Sequence, residues 1–119
     1  MIPAPLLVGL GGAVGAVARF TVGELVDSHP ITQNLPSSTL VVNILGTFLL
    51  GLLTFGGAGS ETMLLVGTGA CGAFTTFSSF SVQTVDRWEG GEQVLALGYA
   101  LGTLALAGVA LGIAWLVVG

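Results

Sequence analysis

Charge is the scarcest thing in this chain, and its placement limits what the rest can fold into. Two arginines and six acids, at positions 19, 24, 27, 61, 86, 87, 89 and 92, leave uncharged runs over 1–18, 28–60, 62–85 and 93–119. Soluble domains carry about 25% charged residues. This 119-residue chain carries 7%, with 53% hydrophobic residues and a mean hydropathy of +0.99. Eight charges do not clothe a water-soluble globule of this size, so a soluble enzyme is excluded and no enzymatic role is expected. Each hydrocarbon crossing takes ~20 apolar residues. Four crossings therefore consume most of the chain, leaving short loops and no second domain. The expectation is an all-α membrane protein of one domain, with four transmembrane helices at about 5–26, 37–55, 62–85 and 93–118.

The same scarcity removes other classes. The formal charge is −4 and there is no Lys, so nothing neutralises nucleic-acid phosphates. A lone Cys71 allows no internal disulfide, and a lone His29 beside Pro30 reads as a loop residue. A zinc-type site needs more nitrogen and sulfur ligands than the chain owns. Ala16-Val17-Ala18 resembles a signal-peptide cleavage site. However, no Lys or Arg precedes that apolar stretch, and Gly9, Gly11, Gly12 and Gly15 offer a close-packing face, so the segment is read as a span. Loops are expected over 27–36, with its two prolines and Asn34, over the glycine-rich 56–60, and over 86–92, where Trp88 suits the interface. In the last span Gly98-Gly102 and Gly108-Gly112 stand four apart, a spacing that predicts tight bundle packing. Four crossings put Arg19 and Arg87 on one side. A bias of two arginines is weak, which leaves insertion in both orientations open.

Polar groups inside spans are informative, because hydrocarbon offers them no partner. Thr39, Asn43 and Thr47 fall four apart on one face of the second span. Threonine hydroxyls can bond back to their own helix, but the Asn43 amide brings two donors and one acceptor into an apolar run. A helix–helix clamp and a donor facing something that passes both account for it. Phe77 and Phe80 are three apart and share a helix side. Ring edges are positive, so two rings turned edge-on give a wall that attracts an anion weakly, as conduction requires. Gly72 followed by Thr75 and Thr76 predicts a break near the middle of the third helix. Carbonyls freed by unwinding can hold a monovalent cation.

Three segments carry a resemblance. Gly11-Gly12-Ala13-Val14-Gly15-Ala16-Val17-Ala18-Arg19-Phe20, Thr39-Leu40-Val41-Val42-Asn43-Ile44-Leu45-Gly46-Thr47-Phe48 and Gly69-Ala70-Cys71-Gly72-Ala73-Phe74-Thr75-Thr76-Phe77-Ser78-Ser79-Phe80-Ser81 resemble the first-, second- and third-helix motifs of the small fluoride channels of the Fluc/CrcB type. The family usually has Tyr where Phe20 stands, and Ala73, Phe74 and Ser79 replace a common Gly, Leu and Thr. The third motif is the most specific and the fourth helix the least.

The resemblance implies an antiparallel, dual-topology homodimer, or a pairing with a related second subunit, in the cell membrane, with two anion pathways. It implies that Asn43 donates to fluoride, that Phe77 and Phe80 line the pathway, and that Ser79 and Thr39 belong to a polar track. Tyr99 and Thr103 look like the matching positions of the last helix. It places Arg19 near a pore mouth and gives the backbone carbonyls of Gly72 and Thr75 to a structural Na⁺ shared by both subunits. The implied role is passive export, since one charge crossing 100 mV changes energy by about 2.3 kcal/mol and a cell negative inside expels the anion. Small multidrug-type exporters share the length and four-pass layout but resemble one another in a carboxylate deep in the first helix. Here Glu24, near the loop, stands at the wrong depth. A non-transporting membrane packing partner is the third reading.

Overall fold

The computed structural model describes residues 2–31 and 37–119, so the turn-forming Asn34 and Pro36 lie outside the described residues. Helix α1 spans Ala4–Asp27 and α2 Ser37–Phe55. The next segment, α3, covers residues 60–74: a short α-turn at Ser60–Thr62, a π-helical stretch over Met63–Cys71, and a closing α-turn at Gly72–Phe74. After two extended residues α4 runs over Phe77–Glu89, and α5 over Gln93–Val118. Among the described residues four segments are long and apolar enough to cross a membrane: α1, α2, α3 with α4 as one broken span over Ser60–Glu89, and α5.

The turns follow from the residues supplied. Gly57 (φ +74°) and Gly91 (φ +86°) are the only described positions in the left-handed region. That region is open to glycine at little cost, and each of the two reverses the chain between spans. The loop expected over 86–92 is shorter than the charges suggest. Asp86–Glu89 stay helical, with Arg87 in the last turn, where a cation suits the negative helix end. Ser38 Oγ donates to Asp27 Oδ2 at 3.2 Å, tying the end of α1 to the start of α2. Hydroxyls within the spans are largely met by their own helices: Thr47 Oγ1 donates to the Asn43 carbonyl, Thr84 Oγ1 to Phe80 and Thr103 Oγ1 to Tyr99.

Packing is closest between α1 and α3. A Cβ at Gly11 would collide with the carbonyl of Leu65, and one at Gly15 with the carbonyl of Ala70. One at Gly69 would lie 2.8 Å from the Val8 oxygen and 3.0 Å from Gly11 Cα. Backbone therefore meets backbone here, the arrangement small residues allow in lipid. α5 packs on α2, with Ala114 set against Gly51, and buries Ala96, Thr103, Ala110 and Ala114. The packing expected at Gly98, Gly102, Gly108 and Gly112 is not formed among the described residues, since none of them lies within 4 Å of a Cβ at any of these positions. The four buried residues recur seven, seven and four apart along one stripe, and the glycines fall off that stripe. Large apolar side chains such as Phe20, Leu104 and Leu116 are exposed, the surface of a multi-pass membrane protein.

Candidate ion pathway at the helix break

The break is built by side chains that intercept backbone bonds. Thr75 (φ −83°, ψ 161°) and Thr76 (φ −149°, ψ 115°) are extended between α3 and α4. Asn43 Oδ1 accepts from the Thr76 N–H at 2.7 Å, while Asn43 Nδ2 donates to the Thr76 carbonyl at 3.0 Å. Thr76 Oγ1 accepts from the Ser79 N–H at 3.1 Å, an N-cap that restarts the helix. In an uninterrupted helix the Gly72 carbonyl would accept from Thr76 and the Thr75 carbonyl from Ser79. Both amides are turned elsewhere, so those two carbonyls lose their helical donors. Arg19 Nη1 reaches the Thr75 carbonyl at 3.5 Å. Thr75 Oγ1 itself donates back to Cys71 at 2.9 Å.

Gly46, three residues after Asn43 on α2, makes room for this geometry. A Cβ there would collide with Thr75 Cγ2 and approach Phe74 Cδ2 at 3.4 Å. Sequence reasoning did not single Gly46 out, although its spacing from Asn43 put it on the same helix face.

Two cavities meet at the break. The larger, about 620 Å³, is lined by Asn43, Gly72, Thr75, Phe77, Phe80 and Thr103 among others. The smaller, about 330 Å³, is lined by Arg19, Ser38, Thr39, Thr76, Ser79 and Gln83 along with Gly23 and Val42. Thr76 borders both. The structure thus gathers six of the expected residues round one cavity and three (Arg19, Thr39 and Ser79) round the other.

Tyr99 lines neither cavity but stands between them. Its ring lies 5.3 Å from that of Phe80, tilted 39°, and its hydroxyl donates to Gln83 Oε1 at 3.1 Å. Phe77 and Phe80 are tilted 42° at 5.9 Å, a spacing favourable to aromatic pairs. Phe77 is 79% exposed, so one wall of the larger cavity opens to the outside of the chain. Gln83 is a further residue that sequence reasoning left without a role. Its spacing from Phe80 and Ser79 carried the signal, three and four residues along the same helix.

What the arrangement offers is polar but nearly uncharged. One Asn43 N–H is used on Thr76, and the amide carries a second beside the larger cavity. The freed carbonyls of Gly72 and Thr75 are hard oxygen donors of the kind that hold an alkali ion at unwound helix segments. Among the lining residues of both cavities only Arg19 carries a charge.

Comparison with known proteins agrees along almost the whole chain. Residues 6–118 match the family described as CrcB-like protein, Camphor Resistance (CrcB). The chain is 53% identical over 116 residues, 98% of its length and 94% of the relative's, to a protein of Halobacterium salinarum named "Fluoride-specific ion channel FluC 1". It is 51% identical over 109 residues, 92% of its length and 88% of the relative's, to "Fluoride-specific ion channel FluC 2" of Haloarcula marismortui. It is 48% identical over 105 residues, 85% and 83% of the two lengths, to "Fluoride-specific ion channel FluC" of Thermus thermophilus. With four apolar spans, a third span broken at Thr75–Thr76 and these relatives, the chain belongs to the CrcB-like family.

Proposed function

We propose that this chain is a subunit of a fluoride-selective channel in the cell membrane, which lets fluoride leave passively down the membrane potential and so lowers its cytoplasmic concentration. One observation carries the reading: Asn43, Phe77 and Phe80 border a single cavity of about 620 Å³ at a helix break. A small anion there meets a side-chain N–H and ring edges, donors that attract without the grip of a fixed cation. Ser79, Thr39, Tyr99 and Thr103 continue the polar surface on either side of Phe80, and Arg19 stands at the smaller cavity as a pore mouth.

The working unit in this proposal is an antiparallel homodimer, or a pair with a related subunit. Gly72 and Phe77 are exposed on one protomer although they border the larger cavity, and a second copy laid across that face would enclose the anion's route. Even crossing number and a bias of only two arginines suit insertion in both senses. The carbonyls of Gly72 and Thr75, released from their helical donors, would hold a structural Na⁺ together with the same atoms of the partner. Such an ion supplies positive potential to an anion nearby.

The test is fluoride-electrode recording from liposomes holding only this purified chain. Efflux in the wild type, and its loss in Phe80→Ile with the dimer intact, is the expected result. Phe80→Ile leaves the Asn43–Thr76 bonds untouched, so efflux that persists in it would remove Phe80 from the pathway, whereas no efflux from the wild type would favour the packing-partner reading. Loss only on Glu24→Gln would favour a proton-coupled exporter.

A further inference from the structure

The contacts between α1 and the broken span have a regular mismatch. On α1 the residues that touch are Gly11, Gly15 and Arg19, four apart. On the other side their partners are the carbonyl oxygens of Leu65, Ala70 and Thr75, five apart. Two ordinary α-helices have the same spacing of side-chain rows, so a four-residue step cannot stay opposite a five-residue step over two repeats. The π-helical winding over Met63–Cys71 removes the discrepancy for the first step, Leu65 to Ala70; the second, Ala70 to Thr75, leaves that stretch through the α-turn Gly72–Phe74 and is met by the length of the Arg19 side chain. A π-turn takes i→i+5 bonds in place of i→i+4, so a carbonyl returns to the same face every fifth residue or nearly so. Four α-helical residues advance about 6 Å, and the wider, flatter π-turn advances by a comparable amount over five. The first two contacts leave no space for a Cβ, so they set the register firmly. The third falls at the break, on the Thr75 carbonyl, whose helical donor Thr76 has diverted by capping Ser79.

We infer that α1 is a ruler for the break: Gly11 and Gly15 fix the register of the π-wound segment, and Arg19 is a positioning residue that sets where the Thr75 carbonyl points. Asn43 holds both backbone groups of Thr76 from α2. The extended pair is therefore gripped from two helices, Thr76 by α2 and Thr75 by α1. For the cation site this inference rests on the proposal above. Arg19 and a bound alkali ion would share one carbonyl oxygen, so the guanidinium would both aim that oxygen and repel the ion beside it.

Thr75-Thr76 is the only Thr-Thr pair in the sequence. Protein labelled with threonine carrying carbonyl ¹³C and amide ¹⁵N therefore gives one carbonyl–nitrogen correlation peak in solid-state NMR of proteoliposomes, belonging to the Thr75 carbonyl and the Thr76 nitrogen. The expected result is that Arg19→Gln displaces this peak along the carbon axis and Arg19→Lys returns it toward the wild-type position. Gly15→Ala should displace it with Arg19 unchanged. A peak left in place by Arg19→Gln overturns the inference, as does an equal displacement by Gln and Lys. If Gly15→Ala does not fold, the two Arg19 variants still decide. Replacing Na⁺ by N-methylglucamine on the wild type tests the cation separately: an unmoved peak there, with Arg19→Gln displaced, sinks the cation reading and leaves the ruler standing.

Discussion

Glycines in α1 and in α5 look alike in sequence and sit in opposite circumstances. Gly11 and Gly15 are four apart, buried, and pressed on carbonyls of α3. Gly98 and Gly102, and Gly108 and Gly112, keep the same spacing, yet a Cβ at any of them would meet nothing within 4 Å. Spacing of small residues therefore marks a face that permits close approach, and a neighbour of matching shape decides whether approach occurs. α3 supplies that neighbour to α1 because Gly69 and the π-winding bring backbone to the surface that α1 meets. From α2, Gly51 meets the Ala114 side chain of α5.

The largest expected effect comes from filling the occupied side. Gly15→Ala places a methyl group on the Ala70 carbonyl. Overpacking of this kind costs ~1–3 kcal/mol and more where neither side can yield, and two backbones yield least. The expected outcome is a large fall in melting temperature and in folded protein recovered by size-exclusion chromatography. A melting temperature within a degree or two of wild type would erase the contrast between the two helices.

Next comes the polar clamp on the same side of the molecule. Asn43→Ala leaves the Thr76 N–H and carbonyl without their partners, at about 1–3 kcal/mol for each buried group. Fluoride efflux should be lost, and the Thr76 amide should exchange with deuterium much faster than its neighbours in α4. Unchanged exchange would mean that the break holds itself open.

Gly46→Ala should act more gently. Its Cβ meets Thr75 Cγ2, a methyl that a rotamer change can move at ~1 kcal/mol. Reduced but measurable efflux, with a near-normal melting temperature, is expected. Complete loss would show that the Thr75 rotamer itself is fixed by function.

The smallest effect belongs to α5. Gly108→Ala should leave the melting temperature unchanged or raise it slightly, since Ala is favoured over Gly in a helix by ~1 kcal/mol. For the paired assembly proposed above, a fall in dimer content instead, with the protomer still folded, would place a second copy on that face and turn the contrast into one between inner and outer packing.

Several of these features were legible beforehand and others were not. Eight charges fixed the number of spans, because hydrocarbon excludes charge regardless of how helices pack. The cluster Gly72-Ala73-Phe74-Thr75-Thr76 located the break, since its hydroxyls and glycine weaken a helix locally. The partners of Asn43 were not legible: an amide states what it needs, and the supplier lay 33 residues away. Charges at 86, 87 and 89 suggested a loop where α4 continues, because charge excludes a residue from lipid but not from a helix that projects beyond it.

The chain's own order of residues thus determined the solvent it lives in, how often it crosses, and where a crossing weakens, because these depend on each residue's transfer energy and local backbone preference. Only the tertiary structure decided which glycines touch, that α3 winds as a π-helix where it meets α1, and that the Gly72 and Thr75 carbonyls lose their helical donors. Those outcomes depend on the distance and register between separate helices, and no single segment carries that information.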